Sequence, residues 1–148
     1  MKAVIIMGSR KDSKFGNQIA RHIEGFGIKV ELRFASAHKA PLRVLEIIRE
    51  FEDEEVVFVT VAGRSNALSG MVDANTAKPV IACPPYSEKF AGLDVLSSLR
   101  MPSGVAPMVV LEAENAALAV AKILGIKHES VLEAIRSYQE GKRKEALE

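Results

Sequence analysis

Short apolar runs alternate along this chain with longer amphipathic stretches. Residues 2–7 (KAVIIM) form an apolar run of strand length, the pattern of a buried strand. Phe15, Ile19, Ile23 and Phe26 follow at spacings of four, four and three, which puts them on one face of a helix. Gly27 stands where a helix end favours glycine. Val30, Leu32 and Phe34 alternate with charged residues and predict a second, less buried strand. Residues 42–51 read as a helix and 56–62 (VVFVTVA) as the strongest strand. The small-residue stretch 63–70 is a loop entering a short helix. Further strands are expected at 79–83 and 109–111, with helices at 91–99, 115–124 and about 130–139. The last rests on Val131, Leu132, Ile135 and Tyr138 at helical spacing.

Such strand–helix alternation implies right-handed crossovers and a parallel sheet covered on both faces. The expected fold is α/β, a three-layer, doubly wound parallel sheet of flavodoxin-like order. It forms a single domain over 1–148, with a C-terminal helix from about residue 130. A chain of 148 residues buries roughly 70% of its extended surface, enough for a real core. Sheets of this kind bind ligands outside the carboxyl ends of their strands, near the switch point. The loops after the first three strands, 8–12, 36–41 and 63–70, should meet there.

Composition narrows the function classes. Lys and Arg number 20 against 19 Asp and Glu, a net charge of +1. That leaves no global basic field for nucleic acid or anionic lipid. Trp is absent and aromatics make up 5%, so a base-stacking platform is not expected. No stretch approaches the ~20 apolar residues of a membrane span, and residues 3–7 are too few for a signal-peptide core. The lone Cys83 permits no intrachain disulfide, which suits a reducing compartment. A cytoplasmic protein with neither nucleic-acid nor membrane partners is the expectation. No His/Cys/carboxylate cluster has metal-ligand spacing, so no metal is expected. Cys83 reads as a buried structural thiol, and the acidic run 50–55 as a solvated helix end.

Three loops carry the candidate chemistry. In the first, Gly8 and Ser9 form a strand-to-helix turn whose backbone amides can face an anion. Asp12 can accept hydrogen bonds from sugar hydroxyls, so the turn suits a ribose phosphate; Asp12 or Ser13 could equally be a plain helix N-cap. The second loop holds Ser36, His38 and Lys39. Histidine, with an ordinary pKa of ~6.5, suits proton transfer near neutrality, and Lys39 adds a cation. His22 and His128 read as surface or capping residues. In the third loop, Gly63 allows close backbone approach, and Ser65 and Asn66 offer directional hydrogen bonds. Arg64 could bind an anion or pair with a local carboxylate. The same stretch is similar to the G-x-S-x-G elbow of hydrolases with its last glycine replaced; a triad would then have to recruit His128. Residues 99–104 are a Pro/Gly-punctuated loop.

Taken in order, Met-Gly-Ser-x-x-Asp at 7–12, Ser-Ala-His-Lys at 36–39, Ala-Gly-Arg-Ser-Asn-Ala-Leu-Ser-Gly at 62–70 and Leu-Arg-Met-Pro-Ser-Gly at 99–104 resemble the PurE family of purine biosynthesis. The resemblance runs from about residue 2 to 124. One branch of that family, the mutases, typically reads Ala-Gly-Gly-Ala-Ala-His-Leu-Pro-Gly in the third loop and Ser-Ala-His-Arg in the second. Here Arg64, Ser65 and Asn66 replace the small residues, the second histidine is missing, and Lys39 stands for arginine. The chain is more similar to the other branch, which carboxylates 5-aminoimidazole ribonucleotide directly with carbon dioxide.

That resemblance implies a ribonucleotide and carbon dioxide as the small-molecule partners, and no cofactor: neither ATP, biotin nor metal. It implies His38 as the catalytic base and Ser9, Asp12, Ser36, Lys39, Gly63 and Ser65 as substrate contacts. Gly8, Arg64, Asn66, Ala67 and Leu68 would support them. It also implies a homo-octamer in which Met101 and Ser103 approach a neighbour's site. Two other readings stay open on sequence: the mutase, and a non-catalytic flavodoxin-like module that binds a nucleotide.

Overall fold

The computed structural model describes residues 1–147. Five parallel strands lie in the order β2-β1-β3-β4-β5: β1 Lys2–Met7, β2 Lys29–Phe34, β3 Val56–Val61, β4 Val80–Ala82 and β5 Met108–Val109. Six α-helices accompany them: α1 Ser13–Glu24, α2 Pro41–Glu50, α3 Ala67–Asp73, α4 Leu96–Leu99, α5 Ala113–Gly125 and α6 Glu129–Glu145. This is the doubly wound, flavodoxin-like sheet that the alternation predicts.

The central strands explain the two-sided burial. Along β1 and its neighbours, Ala3, Ile5, Met7, Val57, Val59 and Val61 pack with Ile19 and Ile23 of α1 and with Ala116, Ala117 and Val120 of α5. The alternate residues Val4, Ile6, Val56 and Phe58 pack with Val44, Ile47 and Ile48 of α2 and with Leu68 and Val72 of α3. A period of two thus sends successive side chains into two separate cores. β2 is an edge strand, which accounts for its half-buried, charge-alternating sequence.

The ends of three strands are level. Met7 pairs with Phe34 on one side and with Val61 on the other. The ladder continues past the strand ends: Ala35 N donates to Met7 O at 3.0 Å, and Gly8 N donates to Val61 O at 2.9 Å. The three loops that follow therefore leave the same edge of the sheet.

Several elements depart from the sequence pattern. α1 stops at Glu24, and Gly27 comes later, in a left-handed turn (φ 76°) whose N–H bonds Glu24 O. The helix expected at 91–99 is broken. Ala91 (φ 49°) and Gly92 (φ 78°) are both left-handed, flanked by 3-10 turns at Glu88–Phe90 and Leu93–Val95, and only Leu96–Leu99 is α-helical. A side chain at Gly92 would lie 2.9 Å from the Tyr86 ring. β5 is two residues long and begins at Met108, one residue before the expected run. α6 runs to Glu145, where alternating charge rather than apolar spacing continues the helix, through pairs such as Lys144–Glu140 at 2.9 Å. The acidic run after α2 is not merely solvated. Glu54 pairs with Lys2 at 2.7 Å and Glu55 with His128 at 2.8 Å, tying the loop before β3 to the starts of β1 and α6. No helix among the described residues is long and apolar enough to cross a membrane.

α1 packs tightly on the sheet at Gly16, where an added Cβ would overlap the sulfur of buried Met7. Gly16→Val should lower unfolding stability by about 1–3 kcal/mol through overpacking, which denaturant melts measure. A variant as stable as the parent would mean that Met7 repacks freely.

Candidate active site

The three level loops and the segment after β4 enclose one cleft of about 420 Å³. Gly8, Ser9 and Asp12 line it from the first loop, Ser36, His38 and Lys39 from the second, and Gly63, Arg64, Ser65, Ala67 and Leu68 from the third. Ala62, Pro85, Tyr86 and Asp94 are also part of the wall. Eleven of the fourteen residues singled out in the sequence thus converge. The other three do not line this cleft. Asn66 is buried as the N-cap of α3, accepting from Ser69 N at 3.2 Å and donating to Ser98 Oγ at 2.9 Å. Met101 lies against Gly70, its sulfur 3.1 Å from where a Cβ would be. Ser103 is exposed on the following turn.

The first loop approaches the third closely. A Cβ on Gly8 would lie 3.3 Å from that of Ala62. Ser9 caps the short 3-10 turn Arg10–Asp12, its hydroxyl accepting from Lys11 N at 3.2 Å. Asp12 occupies the N-cap position of α1 yet makes no capping bond with its side chain. The capping alternative for Asp12 therefore fails, and its carboxylate remains available to the cleft. Burial pushes its pKa up, opposed by a backbone hydrogen bond from Ser9 and by the charge of Arg64.

The second loop is a tight turn. Ala40 N donates to Ser36 O at 2.8 Å, and Lys39 N reaches the Ser36 hydroxyl at 3.3 Å. The turn fixes the backbone on both sides of His38 while leaving its side chain exposed. His128, by contrast, is engaged with Glu55 at 2.8 Å. It sits on the loop before α6, and neither it nor Glu55 lines the cleft. The hydrolase-elbow alternative therefore lacks its histidine.

The third loop turns through Arg64 at φ 58°, a left-handed conformation that costs a non-glycine residue on the order of 1 kcal/mol. Its polar backbone is gripped by the segment before and within α4. Arg64 N donates to Asp94 Oδ2 at 2.8 Å, the Ser97 hydroxyl lies 2.7 Å from Arg64 O, and Asn66 N donates to that hydroxyl at 3.0 Å. Asp94 escaped the sequence reading because it sits in a stretch that reads as a plain helix. The only signal was Ala91-Gly92 ahead of it, a potential helix break.

Cys83 lies at the end of β4, fully buried, with its thiol pushed up to about 12 chiefly by that burial. It is a core residue.

Comparison with known proteins agrees across the chain. A family profile described as AIR carboxylase matches residues 2–145. A relative from Archaeoglobus fulgidus named phosphoribosylaminoimidazole carboxylase is 67% identical over 98% of this chain and 81% of its own length. One of the same name from Treponema denticola is 43% identical over 98% of this chain and 92% of its own. A human bifunctional phosphoribosylaminoimidazole carboxylase/succinocarboxamide synthetase is 42% identical over 92% of this chain, which spans 32% of that larger protein. The crystal structure of Treponema denticola PurE superposes with a TM-score of 0.95 at 42% identity, covering 98% of this chain and 93% of that one.

The raised Asp12 pKa carries a stability consequence. The folded chain holds this proton more tightly than the unfolded chain does, so the ionised form is the costly one. Stability is favoured below the unfolded value of 3.8 and declines as pH rises through the folded one. Asp12→Asn removes that cost and should melt above the parent at neutral pH, the difference closing below about pH 3.5. A lower melting temperature at neutral pH would mean that the Ser9 bond and the Arg64 charge outweigh burial.

Proposed function

The chain belongs to the AIR carboxylase family and shares its carboxy-lyase activity in purine biosynthesis; we propose that it joins carbon dioxide directly to 5-aminoimidazole ribonucleotide, reversibly and without ATP, with His38 as the base. The observation that carries this reading is the meeting of His38 with Ser9, Asp12 and the 63–68 loop in one cleft.

The aminoimidazole ring is an electron-rich enamine, so C4 can attack the carbon of carbon dioxide without a cofactor. The new C–C bond leaves C4 carrying both a carboxylate and its original hydrogen. His38 takes that proton, and the electron pair of the C–H bond restores the aromatic ring. In reverse, His38 returns the proton to C4 and carbon dioxide leaves. One base suffices, and it must titrate near neutrality, which histidine does.

The remaining residues bind. The Ser9 and Ser36 turns and Lys39 hold the phosphate, where exposed amides, hydroxyls and a cation meet. Asp12 accepts from the ribose hydroxyls. Gly63 and Ser65 line the ring side. Ala62, Ala67 and Leu68 give an apolar wall, against which a small neutral molecule competes with water more easily than against charge.

Among the family's two reactions, direct carboxylation is favoured by the third loop. Arg64, Ser65 and Asn66 are all engaged in its turn or its cap, and position 67, where the mutases carry histidine, is alanine.

The family resemblance implies a homo-octamer, and the segment around 86–99 supports burial between copies. Tyr86, Phe90, Leu93, Leu96 and Leu99 are all exposed there, Tyr86 at 76%. Clustered large apolar side chains of this kind mark interaction surfaces. Sedimentation velocity at micromolar concentration should give an octamer; a monomer overturns that assignment.

The deciding experiment compares two substrates without ATP: 5-aminoimidazole ribonucleotide plus bicarbonate, and the N-carboxylated ribonucleotide. Product from the first, rising with dissolved carbon dioxide, is expected. Product from the second alone would make the enzyme a mutase, and binding without product from either would leave a nucleotide-binding module. His38→Asn should abolish turnover while the ribonucleotide still binds. Near-parental turnover would remove His38 from the base role.

A further inference from the structure

Among the described residues only Arg64 and Ala91 combine a side chain with positive φ, and Arg64 lies in the cleft between two residues assigned to the substrate. A left-handed residue needs surroundings that over-determine it. The surroundings are specific here. Asp94 Oδ2 accepts the Arg64 N–H at 2.8 Å. The Ser97 hydroxyl, with one proton to give, lies 2.7 Å from Arg64 O and 2.8 Å from Asp94 O. The two polar groups of the strained residue's backbone are thus held from 94–97, thirty residues further along the chain. A Cβ added at Gly63 would meet the same carboxylate at 3.6 Å.

We infer that Asp94, assisted by Ser97, is a positioning residue for this reaction: it holds Arg64 in its left-handed turn and so sets where Gly63 and Ser65 face the cleft. The inference rests on the function proposed above. Asp94 acts through the backbone of Arg64 as a hydrogen-bond acceptor, so its charge is dispensable and its oxygen is not. Displacing this loop by a fraction of an ångström is the kind of error that misaligns a reacting ring. The expected loss falls on kcat more than on KM, because the phosphate and ribose contacts lie on the other two loops.

Three variants separate this role from its rivals. Asp94→Ala should lower kcat/KM about tenfold or more, and hydrogen exchange followed by mass spectrometry should speed up over 63–66. Asp94→Asn, whose amide oxygen still accepts the Arg64 N–H, should stay within about threefold of the parent. Glycine adopts the left-handed turn without a clamp. In an Arg64→Gly background, the further loss caused by Asp94→Ala should therefore shrink to about twofold or less. If Asp94→Ala fails to fold, Ser97→Ala removes the other contact and should produce the same exchange signature with a smaller loss.

An undiminished Asp94→Ala loss in the Arg64→Gly background, or an Asp94→Asn variant as damaged as the alanine one with exchange unchanged, would overturn the proposal. Either would mean that Asp94 acts on the substrate by its charge. Unaltered exchange and unaltered activity in Asp94→Ala would leave the carboxylate without this role. If the parent enzyme forms no carboxylated product from 5-aminoimidazole ribonucleotide, the functional reading fails separately, while exchange at 63–66 still reads the clamp.

Discussion

The level pairing of β1 with β2 and β3 is the constraint on which this molecule depends. Parallel strands cannot be joined by hairpins, so each hands the chain to a helix on one face or the other. Because Met7 stands opposite both Phe34 and Val61, all three handovers happen at one height. The backbone bonds from Ala35 N and Gly8 N extend that alignment one residue beyond the strands. A register slip of one residue would turn Val4, Ile6 and Phe58 toward the wrong core, so the packing on both faces that stabilises the fold also fixes the position of the cleft. The core need not be near the chemistry to determine it.

The three loops use different means to become rigid at that edge. The first is short and capped by its own Ser9 hydroxyl. The second closes on Ser36 as a tight turn. The third is closed locally by the Asn66 cap and by Ala67 N bonding Ser65 O, and it is further held by Asp94, Ser97 and Ser98 from beyond β4. This division matters for function. The first two loops carry the charged and hydroxyl groups suited to the ribose phosphate, where some play is tolerable. In the proposed reaction the third faces the ring, where reacting atoms must be placed closely. The loop with the strictest geometric task is also the one with a strained residue and a non-local brace.

Much of this was legible in the sequence because periodicity and topology are strong signals. A buried run at 2–7, an amphipathic α1 and a fully buried β3 suffice to place 8–12, 36–41 and 63–70 together. What stayed hidden was set by tertiary contacts that have no period. Asn66 looked like a ligand-facing amide, but its amide is spent capping α3 and holding Ser98. The stretch 91–99 reads as a helix in the sequence, and Leu93, Leu96 and Leu99 do recur at helical spacing. Two successive left-handed residues override that spacing, and the leucines remain exposed. Asp94 was hidden inside the same misread stretch. For Asp12 the sequence leaves both capping and binding open. The structure shows no side-chain capping bond at Asp12 and places the residue in the cleft wall.

The state of Asp12 ties these points together. A half-buried carboxylate next to the Gly8 turn is a poor choice for stability, since burial raises its pKa and disfavours its ionised form. A sugar hydroxyl donates hydrogen bonds, and an ionised carboxylate is the strongest acceptor a side chain can offer it. Partial desolvation before the ligand arrives means less water to strip from the carboxylate at the moment of binding, so part of that cost is already met in the folded chain. The backbone bond from Ser9 and the nearby charge of Arg64 oppose that upward shift. The Arg64 turn therefore has two consequences. Its strained backbone shapes the third loop where it borders the cleft, and its charge opposes the upward shift of the Asp12 pKa. Asp94 meets that backbone at the N–H of Arg64 and not at its side chain, so the brace and the charge of this one residue are supplied by different atoms.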